Sequence, residues 1–347
     1  MTPFTREDLS QALARPVGSF AITRQFDGRG AFVARIEVIF DEQSDPEPLA
    51  LVAKACMGTA CAAEGIPEIA FFRDLAPRVP DLAIPAMLGW KIDHDETTSL
   101  LLTEDLSETH RSPTAIEAPD ILGVLVDEIA RLHATFWDHS ALASDSFAMP
   151  RANETRMPQA YPAAVVRANA GILPAIAASF RVRFRNALSI EEDRLVSRLV
   201  ASWPGMMEAR TAQGNLTLIH GDLHLLGNVL TSVGDGEDRI RIIDWADCKP
   251  GLGTHDIAYS TIAIQTLDRK HGDLAMLQRY HRQLCELGVS TFSWEQCLWD
   301  YRFALLTNLL QCMLQESLTW FRTTAAIITE VGADSLLDET SDPPRML

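Results

Sequence analysis

The stretch "LIHGDLHLLGNVL", residues 218–230, sets two histidines, an aspartate and an asparagine among apolar residues. His220, Asp222 and His224 alternate, so on an extended chain their side chains point the same way. Three readings compete: a metal clamp, a catalytic loop, or a polar turn. A second stretch weighs on the choice. "IRIIDW" (240–245) is an apolar strand pattern that ends in Asp244, sixteen residues after Asn228. Asp222, Asn228 and Asp244 supply hard oxygen atoms and a proton acceptor. That set suits Mg²⁺ and a hydroxyl group rather than a soft metal.

Upstream, the chain reads as strands. "AFVARIEVIF" (31–40) largely alternates, and "PLALVAKAC" (48–56) is a second apolar run, with the polar turn "DEQSDPE" between them. "FDGRGAF" (26–32) predicts a hairpin tip. Lys54 stands alone in its apolar strand, which is costly unless the ammonium meets an anion. "PEIAFFRDLA" (67–76) turns helical with Pro67 at its start and offers Glu68 as partner. Glu64, one helical turn earlier, is the rival. "TSLLLTEDL" (98–106) reads as another buried strand. Beyond it the chain is mostly helical. Ile121, Leu122, Leu125, Val126, Ile129, Leu132 and Phe136 form one apolar stripe, and 186–213 and 254–331 read as helix. "LTLIH", "NVLTS" and "IRIIDW" interrupt as short strands. This places a nucleotide-binding portion at 1–105 and a catalytic and substrate-binding helical portion at 106–347.

The 347 residues carry a net charge of −17. So acidic a chain repels phosphate backbones and anionic lipid, which argues against nucleic acid and membrane as partners. No run of about 18 apolar residues suggests a membrane span, and the N-terminus lacks a signal-peptide pattern. Six cysteines without close pairing read as reduced and mostly buried. The expected compartment is the cytoplasm.

A glycine loop, a strand lysine, a helix glutamate, a loop aspartate, an asparagine and a strand-end aspartate follow one another in the order of phosphoryl-transfer sites in protein kinases. The loop resembles the HGDxHxxN motif of the aminoglycoside phosphotransferase and choline kinase family, and "IIDW" resembles its second Mg²⁺ motif. "GLGTHDIAY" (251–259), "LLLTEDLS" and "IARLHATFW" are similar to further segments of that family. "WDYRFALL" (299–306) is similar to a helix of its ecdysteroid-kinase-like branch. The likeness runs over about residues 50–310. It implies an α+β, bilobal protein-kinase-like fold with a β-rich N-lobe and a mostly helical C-lobe. It implies a small-molecule kinase that uses ATP (or GTP) and Mg²⁺ and whose partner is an aminoglycoside-, choline- or sterol-like alcohol. In that reading Asp222 orients the acceptor hydroxyl, Asn228 and Asp244 hold Mg²⁺, and Lys54, partnered by Glu68, holds the nucleotide phosphates. Backbone groups near Glu104 and Leu106 hold the base, and Asp256 ties down the catalytic loop through its N–H groups.

The chain departs from the family pattern in three places. Five residues rather than four separate Asp222 from Asn228. The extra one is expected to bulge at Leu225–Gly227, with Gly227 in dihedrals that other residues avoid. "FDGRGAF" is not GxGxxG. Ala246 follows Trp245, with Asp247 next.

His220 and His224 are expected to be structural, His133 a core histidine, and "FRVRFRN" (180–186) a solvated face. Trp294, Trp299, Tyr301, Phe303 and Trp320 read more as core than as pocket. Acidity favours a cationic acceptor, and the aromatic tail an apolar one. Two other functions compete: a metal-dependent hydrolase or oxygenase built on His220, Asp222 and His224, and a catalytically dead nucleotide-binding protein.

Overall fold

The computed structural model describes residues 2–26, 30–41, 47–114, 116–143, 172–211, 214–234, 239–265 and 274–338. The chain forms two compact units. The first takes in Met1–Ser112 and Val229–Cys248; the second takes in most of the chain from Pro113 to Asn228 and Lys249–Leu347. This grouping follows compactness, whereas the cut at 105 follows composition.

The first unit is built on strands β1 (Val17–Phe26), β2 (Ala31–Phe40), β3 (Leu49–Met57), β4 (Met87–Ile92) and β5 (Thr98–Glu104). They form an antiparallel sheet in the order β1-β2-β3-β5-β4. Alternation aims Ile36, Val38, Leu51, Ala53 and Leu102 into one core with Phe4, Leu9 and Val17. Leu9 comes from a short helix, Arg6–Ala12, fixed by a capping box between Thr5 and Asp8. Gly89 in β4 lets that helix approach, since a Cβ there would lie 2.2 Å from the Ala12 carbonyl oxygen. The tip of "FDGRGAF" lies outside the described residues, but β1 and β2 pair as the hairpin expected.

Short strands follow: β6 (His110–Arg111), β7 (Thr217–Ile219), β8 (Val229–Ser232), β9 (Ile240–Ile242) and β10 (Lys249–Gly251). The order β6-β8-β9 makes a small antiparallel sheet in the first unit, and β7 pairs with β10 in the second.

Helical structure in the first unit starts earlier than Pro67. It runs as a π-turn at Cys61–Gly65, an α-turn at Ile66–Ala70 and a second π-turn at Phe71–Leu75. The Ile66 N–H reaches five residues back to the Cys61 carbonyl, and Pro67 has no N–H to give. The wider turn carries the helix across a residue that would otherwise mark its start.

The second unit is helical. The stripe on Ala118–Thr135 is buried as expected. That helix is tied to Leu274–Glu286 by a two-pronged pair, Arg279 to Asp127 at 2.7 and 2.5 Å. Trp294–Leu314 runs through the interior, with Trp299, Tyr301 and Phe303 buried. Its Asp300 is wholly buried against Arg210 of the helix Ile190–Thr211, at 2.8 and 3.0 Å. All six cysteines are free thiols: Cys56, Cys61, Cys297 and Cys312 are buried and Cys285 is exposed. Among the described residues no helix is long and apolar enough to cross a membrane.

Candidate active site

Lys54 lies on the face of β3 opposite its core residues Ala53 and Ala55. Its Nζ meets Glu68 Oε2 at 2.7 Å and Asp244 Oδ1 at 2.6 Å. The cost of an isolated buried lysine is thereby met by two carboxylates. Burial alone would depress the Lys54 pKa, but the two anions overcome it and hold the ammonium charged. Glu68 is deeply buried and pushed upward by that burial, against the pull of Lys54. Its second oxygen accepts the Trp245 N–H at 3.1 Å. Glu64 sits elsewhere: its carboxylate lies against Gly30, where a Cβ would be 3.3 Å away.

Asp244 adopts left-handed backbone angles, φ 63 and ψ 66. Such a conformation costs a non-glycine residue about 1–2 kcal/mol, and here it belongs to the residue whose carboxylate meets Lys54. Trp245 anchors the turn. Its ring stacks on Phe71 at 3.9 Å and 7°, and its Nε1 donates to the Ile242 carbonyl at 3.1 Å. A pair of this kind adds about 0.5–1.5 kcal/mol beyond its burial.

β5 carries the expected base-binding backbone away from Lys54, which pairs with Leu101 in the sheet. Glu104 exchanges two hydrogen bonds with the Ala86 backbone, one through its own N–H and one through Oε1. The Leu106 carbonyl accepts the N–H groups of Thr109 and His110 at 3.1 and 2.8 Å. Both are held in place by the first unit itself.

In the second unit, two neighbours on the helix Gly253–Gln265 grip the loop that carries His220, Gly221 and Asp222. Asp256, fully buried, accepts the N–H groups of His220 at 2.8 Å and Gly221 at 3.0 Å. His255 Nε2 lies 3.4 Å from the Gly221 carbonyl, and its Nδ1 is 3.3 Å from the Asn308 amide nitrogen. Burial lowers the His255 pKa to about 4, so it is neutral. With Nε2 facing a carbonyl and Nδ1 facing an N–H donor, the proton sits on Nε2. Asp256 remains ionised: burial opposes it, and the hydrogen bond and charge of His133 lead the groups that overcome it. His133 is the satisfied core histidine expected, between Asp256 at 3.3 Å and the Tyr280 hydroxyl at 2.8 Å. Gly253 makes room for that bond, since a Cβ there would lie 2.0 Å from the Tyr280 oxygen.

The loop turns at Gly221, φ 84. His220 points inward and its Nδ1 accepts the Asp222 N–H at 3.2 Å. The bulge expected at Leu225–Gly227 does not form. Leu225–Asn228 is a helical turn in which the N–H groups of Gly227 and Asn228 share the His224 carbonyl at 2.9 and 2.7 Å. A turn of helix absorbs the extra residue without left-handed angles at Gly227. Asn228 Nδ2 then reaches back to the Asp222 carbonyl at 2.8 Å and its Oδ2 at 3.2 Å. The His224 ring lies on Trp320. Among the described residues no three His, Cys, Asp or Glu side chains gather to hold a metal, so the clamp of His220, Asp222 and His224 has no geometric basis.

The structure thus brings Lys54, Glu68 and Asp244 together in one unit and Asp222 with Asn228 in the other. It adds His255 and the Arg210–Asp300 pair, which the sequence reading does not single out. A histidine beside Asp256, and a lone aspartate inside the apolar pattern of "WDYRFALL", were the available signals.

Residues 47–297 match the family model of the phosphotransferase enzyme family, APH. The chain belongs to this family. Its activity class is that of a phosphotransferase. No curated protein sequence matches it. Among solved structures, an amicoumacin kinase in complex with AMP-PNP, Ca²⁺ and Ami is 10% identical, with TM-score 0.53 over 97% of this chain and 93% of that one. The choline kinase LicA from Streptococcus pneumoniae is also 10% identical, with TM-score 0.50 over 93% and 97%. At such identities the likeness speaks for the fold: the APH-family chain is α+β and kinase-like, with a β-sheet N-terminal region and a helical C-terminal part.

Proposed function

We propose that this APH-family protein transfers the γ-phosphoryl group of ATP (or GTP) to a hydroxyl of a small-molecule alcohol. The observation that carries the reading is Lys54 held charged by Glu68 and Asp244. A fixed ammonium on a rigid strand is a ready contact for phosphate oxygens. Glu68 keeps it in place, and backbone near Glu104 and Leu106 takes the base.

Asp222 is the proton acceptor. As the acceptor oxygen bonds to the γ-phosphorus, its proton passes to the Asp222 carboxylate and the bond to the bridging oxygen breaks, releasing the nucleoside diphosphate. The grip of Asp256 and His255 on the loop backbone keeps that carboxylate placed without consuming it.

The donor chemistry of each unit suits Mg²⁺: in the second, Asn228 commits its amide nitrogen to Asp222, which leaves Oδ1 as a ligand atom, and in the first, Asp244 offers a carboxylate oxygen. When bound, the ion would offset phosphate charge.

A nucleotide-consumption screen of the purified protein against a chemically diverse hydroxyl library, with Asp222→Ala as the blank, tests the reading. Acceptor-dependent consumption abolished in the blank is expected. Nucleotide binding with no turnover across the library would identify a binding protein instead.

A further inference from the structure

Three rings meet beside the catalytic loop, each from a different element of the second unit. His224 stacks on Trp320 at 5.5 Å and 22°. Tyr259 meets His224 at 6.1 Å and 71°, and meets Trp320 edge-on at 5.9 Å and 90°. Tyr259 is buried and backs the cluster, while His224 and Trp320 remain partly accessible. His224 is two residues from Asp222 and its N–H donates to the Asp222 carbonyl at 2.7 Å. Trp320 is set by the helix start, where its N–H reaches the Ser317 hydroxyl at 3.4 Å.

The imidazole is a polar group with a task unassigned. Its Nδ1 is buried without a hydrogen-bond partner. Nε2 is the ring nitrogen offered to an incoming molecule. The helices behind the cluster carry little charge. Gly253–Gln265 holds one charged residue, Asp256, which is wholly buried and committed to the loop. On Leu318–Glu330 the charged residues are Arg322, paired with Glu192, and Glu330 in the last turn. A cationic acceptor needs exposed carboxylates to replace its hydration, and beside the rings these two helices add none to Asp222 itself, which the reacting hydroxyl takes. Trp320 also has one face covered by the imidazole, which an open cage for a quaternary ammonium would need free.

We propose that His224 and Trp320 form the acceptor-recognition wall beside Asp222, selecting a neutral alcohol with an apolar ring body and a second polar group. The ring of the acceptor packs on the free edge of Trp320, the second polar group bonds His224 Nε2, and the reacting hydroxyl meets Asp222. The proposal rests on the phosphotransferase reading and names the substrate class of that same site.

The test uses the full-length protein and two probe sets: neutral ring alcohols such as phenyl β-D-glucoside and 4-phenylcyclohexane-1,2-diol, and amino alcohols such as choline and kanamycin. Calorimetry measures binding, and nucleotide consumption measures turnover. Neutral ring alcohols should bind at least about tenfold tighter. Trp320→Ala should raise their KM about tenfold with kcat nearly unchanged, and Trp320→Phe, which keeps a ring and controls for folding, should restore most of it. His224→Phe keeps the stack and should weaken only probes that carry a second polar group. Tighter binding of choline or kanamycin, no binding of either set, or equal losses in kcat and nucleotide KM from both Trp320 variants would overturn the proposal. Binding of neutral ring alcohols without any nucleotide consumption would leave the wall standing and remove the phosphotransferase reading.

Discussion

In the first unit, Lys54 faces two carboxylates, and charge meets charge. In the second, Asp256 faces two backbone N–H groups and a histidine, so its charge is spent on hydrogen bonds that shape a loop. The first arrangement has redundancy, because Lys54 keeps Asp244 if Glu68 is neutralised. The second rests mainly on one buried carboxylate, which takes the N–H groups of both His220 and Gly221. The contrast teaches where function and stability separate. On the proposed function, the Lys54 cluster exchanges partners with a ligand, and its ion pairs are ones that a ligand's charge can replace. A cluster meant to hold a loop still is buried and fully bonded.

The largest expected effect comes from the tip of the loop. Asp222→Asn should lower phosphoryl transfer by ~10²–10⁴-fold while thermal unfolding barely moves, because the grip on the loop lies at His220 and Gly221. Steady-state kinetics beside a melting curve checks this, and near wild-type turnover would remove Asp222 from the chemistry.

Asp256→Ala should cost about 3–5 kcal/mol of stability, the usual penalty for opening a buried charged network. Urea unfolding measures it. A loss under about 1 kcal/mol would mean that the loop is held by other means and that the contrast drawn above is wrong.

A pH effect separates His255 from its neighbour. Its folded pKa of about 4 lies below the ordinary value near 6.5. Above pH 6.5 both folded and unfolded states are neutral at this site and it contributes no pH dependence. As pH falls from 6.5 towards 4, only the unfolded state takes up the proton, so stability declines, by at most about 3 kcal/mol. Replacing it by His255→Gln should flatten the difference between urea midpoints at pH 7 and pH 4.5. An unchanged slope would assign the acid sensitivity to other groups.

The smallest effect on stability belongs to the first unit. Glu68→Gln keeps an oxygen for the Trp245 N–H and leaves Lys54 with Asp244, so unfolding should shift by no more than about 1 kcal/mol. Nucleotide affinity should nevertheless fall about tenfold, since Lys54 is no longer held from both sides. A stability loss equal to that of Asp256→Ala would erase the distinction between the two clusters.

Much of this was legible in the residues. The alternation in "AFVARIEVIF" set β2, the 3.6-residue stripe from Ile121 to Leu132 set a buried helix, and the order of Lys54, Glu68, Asp222, Asn228 and Asp244 carried the resemblance to the phosphotransferase family. β4 was not legible, because Gly89 breaks its pattern for the sake of a close approach to Ala12. The helix before Pro67 was not legible either, because a π-turn hides the start signal.

Side-chain periodicity is a local property, so the sequence by itself determined β2, β3, β5 and the buried helix stripe, and it set the candidate site residues in order along the chain. Choosing partners is not local. Lys54 meets Asp244 across 190 positions and Arg210 meets Asp300 across 90. The choice of Glu68 over Glu64, the left-handed turn at Gly221 rather than Gly227, and the placing of Trp320 on His224 were likewise decided only by tertiary structure. Each depends on which groups burial forces to satisfy one another once distant segments pack, and no spacing along the chain encodes that distance.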